Sequence, residues 1–138
     1  MFITNDDYDL QAREEILQLL DGTADKSILR IAERMATDQI GQYISGRYDT
    51  EFIFSRQGED RNYFIVMITI DIALYHAWSK RAPRKMPELR AQRYQDALDW
   101  LKSVGDGTIS TGLPQAPEDE YQGDILIQSK YKPNVNKY

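Results

Sequence analysis

A chain of 138 residues, 41% of them hydrophobic and 28% charged, is long enough to bury one apolar core unaided. It has no cysteine, which excludes disulfide staples, thiolate catalysis and cysteine metal sites. A formal charge of −5 and a pI of about 4.9 argue against avid binding of duplex phosphates as the main activity.

The opening MFITNDDYDL lacks a basic stretch followed by an apolar one, so no secretory signal is expected. Thr4 is suited to cap a first helix, with Asp7 three residues on in a capping-box pattern and Ile3 and Tyr8 as a hydrophobic staple. Ala12, Ile16, Leu19 and Leu20 form its apolar stripe, and Gly22 ends it. Glu14 and Glu15 are adjacent and therefore diverge on a helix, which predicts a solvated face rather than an acid–base pair.

A second helix is predicted from Asp25 or Ser27 to Ser45. Ile28, Ala32, Met35, Ala36, Ile40 and Tyr43 recur at helical spacing, and Gly46 is its stop. The stretch 49–58 breaks the pattern. Phe52, Ile53 and Phe54 read as a short extended segment or an aromatic-pinned loop, with Phe52 and Phe54 either packed inward or touching another subunit.

The run Tyr63–Trp78 is apolar on nearly every side, the pattern of a helix in the middle of a bundle. It falls short of the roughly 20 apolar residues of a bilayer span, and Asp71 sits near its centre. The predicted helix begins near Asp60 and ends by Arg81, ahead of Pro83. A buried carboxylate needs a partner, which for Asp71 would be an arginine such as Arg47 or Arg93. His76 is the only histidine and has no second ligand at helical metal spacing.

A fourth helix is predicted with Pro87 at its first position and Glu88 in its first turn. Leu89, Tyr94, Ala97, Leu98, Leu101 and Val104 supply its buried face, and Gly105 ends it. Lys80, Arg81, Arg84, Lys85, Arg90 and Arg93 face only Glu88 in this segment, either as a solvated patch or as a charged contact with a partner. From Asp106 to Gly123 the composition is that of a linker or surface loop. Residues 124–128, DILIQ, could form a short strand, making Ile125 and Ile127 candidate contacts if the terminus is an arm on a neighbouring subunit. A disordered terminus is the other reading.

The expected fold is mainly α: a small four-helix bundle over residues 1–107, a loop after the second helix, and an extended C-terminal arm over 108–138. Gly105, Gly107 and Gly112 form no phosphate loop, and no nucleophile elbow or solenoid repeat appears. No catalytic, metal or cofactor residue is assigned. An enzyme would have to assemble its site from Asp71, His76 and tyrosines.

Several fragments occur together in a family order: Phe2-Ile3-Thr4; Ala36, Ile40, Tyr43-Ile44 and Arg47-Tyr48; Asp71-Ile72-Ala73, Tyr75 and Arg81; Arg93-Tyr94, Asp96-Ala97-Leu98 and Trp100-Leu101; then Gly105 and Gly107. Over residues 1–113 this pattern resembles the head–tail adaptor (connector) proteins of tailed phages, particularly the Mu-like family of small helical virion proteins. Gly41 and Gln42 stand where that family commonly has Asp-Gly. The resemblance implies a non-enzymatic virion protein, assembled in the host cytoplasm, with no cofactor and no membrane. It implies a homo-oligomeric ring, typically twelvefold, between the portal protein and the tail-side proteins, through which DNA passes. Arg47, Tyr48, Asp71, Arg93 and Tyr94 would be structural positions, while Arg81, Arg84, Lys85 and Arg90 are candidate contacts to subunits or partners. The competing expectation is a small helical DNA-binding or regulatory protein using residues 80–93.

Overall fold

The computed structural model describes residues 1–19 and 27–117. Five α-helices fill them: α1 (Asn5–Leu19), α2 (Ser27–Ile44), α3 (Thr50–Ser55), α4 (Tyr63–Arg81) and α5 (Glu88–Gly105). The four long ones form a small bundle, and α3 occupies the stretch read as extended or looped. Asp49 decides that difference. Its carboxylate accepts a hydrogen bond from Phe52 N at 3.0 Å and caps a short helix that the aromatic run alone does not announce. Ile53 then points into the core and Phe54 meets Phe2 edge-on at 5.0 Å, while Phe52 stays outside beneath the Arg56 guanidinium.

α4 packs against α1, α2 and α5, which explains why it has no polar face. Ile65, Ile68, Ile70, Ile72, Leu74, Ala77 and Trp78 are all buried. It starts at Tyr63, later than expected, because the Asn62 side chain accepts from Ile65 N at 3.1 Å and Gly58–Asp60 form a separate 3₁₀ turn. No helix among the described residues is long and apolar enough to cross a membrane.

The first helix opens as expected. Thr4 N donates to Asp7 Oδ2 at 2.7 Å, and Asp7 N donates to Thr4 Oγ1 at 3.3 Å. At Ala12 the backbone leaves helical geometry (φ −153°, ψ 46°), so α1 is broken into two stretches rather than continuous. Leu20 and Gly22 lie outside the described residues. On α2 the buried stripe is Leu29, Ala32, Ala36, Ile40 and Ile44. Met35, expected inside, is 46% exposed, because at about 100° per residue it lies roughly 120° round the helix from the centre of that stripe, on the same side as Ile31. On α5, Leu89 is likewise outside, and Arg90 takes the interior position beside it. Pro87 stands one residue ahead of α5, as its cap.

Beyond α5 the chain turns back. Gly107 adopts φ +87°, which the turn requires, and Leu113 is buried. Asp49 N donates to Pro114 O at 2.8 Å, Ala116 N donates to Arg47 O at 3.0 Å, and Tyr48 pairs with Gln115 in an isolated antiparallel bridge. The start of the expected arm is thus fastened across the junction between α2 and α3. Ile125 and Ile127 lie outside the described residues.

Candidate interaction surface

The charged residues divide into an interior set and an outer set. Inside, Asp71 accepts from Arg90 Nη1 at 2.6 Å, Arg93 Nη2 at 3.0 Å and Gln11 Nε2 at 3.0 Å. Arg90 also donates through Nε and Nη2 to Glu15 at 2.8 and 2.7 Å, and Glu15 accepts from Trp78 Nε1 at 3.1 Å. Burial pushes the Glu15 carboxyl up, but its Arg90 and Trp78 partners outweigh that and hold it below the usual range. Of the two arginines expected for Asp71, Arg93 makes the contact and Arg47 does not. Arg90, read as an outward contact, is buried with its guanidinium shared between two carboxylates, so it offers nothing to a partner.

Arg47 works elsewhere. Its Nε donates to Gly105 O at 3.0 Å, so it satisfies an end carbonyl of α5. Gly105 comes so near α2 that a Cβ there would lie 2.3 Å from the Tyr43 carbonyl oxygen. The Tyr48 hydroxyl accepts from Thr111 N at 3.3 Å and helps hold the returning chain. Tyr94 stacks on Tyr75 with centroids 3.8 Å apart, and its hydroxyl accepts from Gln39 Nε2 at 3.0 Å. Gln39 Oε1 lies 2.7 Å from His76 Nε2.

Outside, Lys80, Arg81, Arg84 and Lys85 are exposed around the end of α4 and the 3₁₀ turn Pro83–Lys85. None of these four makes an ion pair among the described residues. They remain from a segment that reads as six cations, Arg90 being turned wholly inward and Arg93 partly so. Among the described residues, no group of three or more His, Asp or Glu side chains is placed to hold a metal ion.

Residues 3–127 match the model of the family described as Bacteriophage Mu, Gp36. The chain belongs to this family. It is a bacteriophage protein. No curated protein and no solved structure shows a match to it.

In this Mu Gp36 family chain, Asp71 and Arg93 share an ion pair, Arg47 caps α5, Tyr48 anchors the return and Tyr94 joins the α2–α4–α5 contact. Three contributors escaped the sequence reading: Glu15, Gln11 and Gln39. Gln11 and Glu15 stand four apart, beside the Ala12–Ile16 stripe, and that flanking spacing was the available signal. Glu15 was expected on a solvated face. Its place against Arg90 and Trp78 corrects that, because a glutamate at the edge of an apolar stripe can reach a cation the sequence does not place.

Burial lowers the pKa of His76, whose ring packs against Gln39, Tyr75 and Tyr94. A depressed folded-state pKa contributes stability above the unfolded value of about 6.5, and that stability is lost as pH falls through it. Urea midpoints measured from about pH 7.5 to about pH 5.5 should therefore fall slightly more for the wild type than for His76→Gln. Screening at the half-exposed ring keeps this difference below about 1 kcal/mol.

Proposed function

We propose that this phage protein is a structural, non-enzymatic component of the virion: a head–tail adaptor whose copies form a ring below the portal. The ring, typically twelvefold in such adaptors, continues the DNA channel and docks the tail proteins, and it is assembled in the host cytoplasm. The match to the Mu Gp36 family over residues 3–127 carries the reading. The disposition of charge supports it. The interior ionic groups are consumed by one another, and four cations that make no ion pair among the described residues, Lys80, Arg81, Arg84 and Lys85, stand together at one end of α4 on a chain of net charge −5. A closed ring joins one face of a subunit to a different face of the next. A basic corner meeting an acidic surface sets that register and discourages wrong pairings. A predominantly acidic lumen lets DNA slide, because basic surfaces are what hold phosphates.

The reading that residues 80–93 bind DNA loses force once Arg90 is committed inside. The test is Arg84→Glu combined with Lys85→Glu. Both side chains are exposed, so the urea midpoint should not move, while incorporation into virions should fall by about tenfold, as expected for a contact weakened by roughly 1.4 kcal/mol. Wild-type incorporation would overturn the charged-register account. Electron microscopy of the parent virion with subunit assignment tests the ring itself.

A further inference from the structure

An apolar groove runs between α1 and the first turns of α4, lined by Leu10, Tyr63, Val66 and Met67, with Asp7, Gln11 and Arg93 as its polar walls. Leu10 is 88% exposed and Tyr63 59%, an open position for two large apolar side chains side by side. The polar walls are already occupied. Asp7 pairs with Arg61 at 2.6 Å, and Gln11 and Arg93 both donate to Asp71. What the groove offers a ligand is therefore apolar surface, which suits an aliphatic segment better than an ion or a polar small molecule.

The chain carries one such segment outside the described residues. Ile125-Leu126-Ile127 is the only run of consecutive aliphatic side chains between residues 118 and 138. The family match extends through this run and stops at residue 127. The described chain also ends in the right place. Pro114 lines a cavity with Arg61 and Asn62, and Asn62 is the cap of α4, next in sequence to Tyr63 of the groove. From Pro117 to Ile125 the chain spans at most about 29 Å when extended. An extended segment would turn Ile125 and Ile127 to the same side. Asp124, just before them in sequence, carries the charge that would complement the open part of Arg93, whose side chain is 38% exposed.

We propose that this groove is the seat of Ile125-Leu126-Ile127 of the same chain. A tether this short gives the segment a high effective concentration at its own groove, so the seat is filled without a second copy.

The lack of native cysteine makes the test clean. Leu10→Cys with Ile127→Cys should close an intrachain disulfide under mild oxidation about tenfold faster than Leu17→Cys with Ile127→Cys, and dilution should leave the rate unchanged. Leu17 is the control because it is exposed on the same helix but outside the groove. Equal rates for the two pairs would overturn the proposal. So would disulfides forming between chains, which would assign the seat to a second copy. A cysteine-independent measurement is amide exchange over 124–128: slowing of about tenfold in the full chain, abolished by Leu10→Asp, is expected. Exchange at the unstructured rate in the wild type would overturn the seat. Both readouts use the isolated full-length chain, so their failure leaves the ring reading untouched.

Discussion

Asp71→Ala should lower the unfolding free energy by about 3–5 kcal/mol, the usual cost of removing one partner from a buried ion pair. Measured by urea unfolding near neutral pH, that is a large part of the roughly 5–15 kcal/mol available to a domain. The size follows from what is left behind. Arg90 is buried, and with Asp71 gone it keeps Glu15 alone, while the Gln11 amide loses its acceptor among the side chains. Arg93→Ala should cost much less, about 1 kcal/mol, because its side chain is 38% exposed and water can replace it as a partner. Replacing Asp71, Arg90 and Glu15 together with apolar side chains of similar size should be milder than Asp71→Ala, since no buried charge is then stranded and Arg93 can turn to water. A loss below about 1 kcal/mol in Asp71→Ala would show that the network does not hold the bundle as its distances imply.

The second large effect sets two glycines against each other. Gly105→Ala should destabilise by about 1–3 kcal/mol, because overpacking at a tight contact outweighs the helix preference of alanine. The new Cβ would lie 2.3 Å from the Tyr43 carbonyl oxygen, and backbone on both sides leaves nothing flexible to yield. Gly41→Ala should do the opposite. It sits inside α2 with nothing within 4 Å of the place an added methyl group would take, so the substitution should stabilise by about 0.5–1 kcal/mol. Paired urea midpoints would check both signs. Equal behaviour of the two variants would rule out close helix contact as the reason for Gly105.

Much of the architecture could be read from residue order. The Thr4–Asp7 pair, the all-apolar run on α4 and the break at Pro83 are local signals, and local signals survive folding. The helical character of Thr50–Ser55 was hidden because six residues are too few to display a period, and one capping carboxylate decided the outcome. The charges were the hardest to place. Arg90 and Arg84 look alike in sequence, yet one faces α1 and α4 and the other faces outward, and only the packing of three helices separates them. The return of residues 108–116 was invisible for a similar reason. Its hydrogen bonds join backbone atoms whose partners lie far away in sequence, at Arg47 and Asp49.

That return has a mechanical consequence. A pull applied at Pro117, the last residue described, reaches the bundle first at the bonds between Ala116 and Arg47 and between Asp49 and Pro114, with Leu113 wedged behind them. The strain is delivered to the corner where α2 hands over to α3, and it spreads there before it can unwind the last turn of α5. A load arriving at Pro117 would thus tug on a braced corner of the molecule and not on the oily rod at its centre.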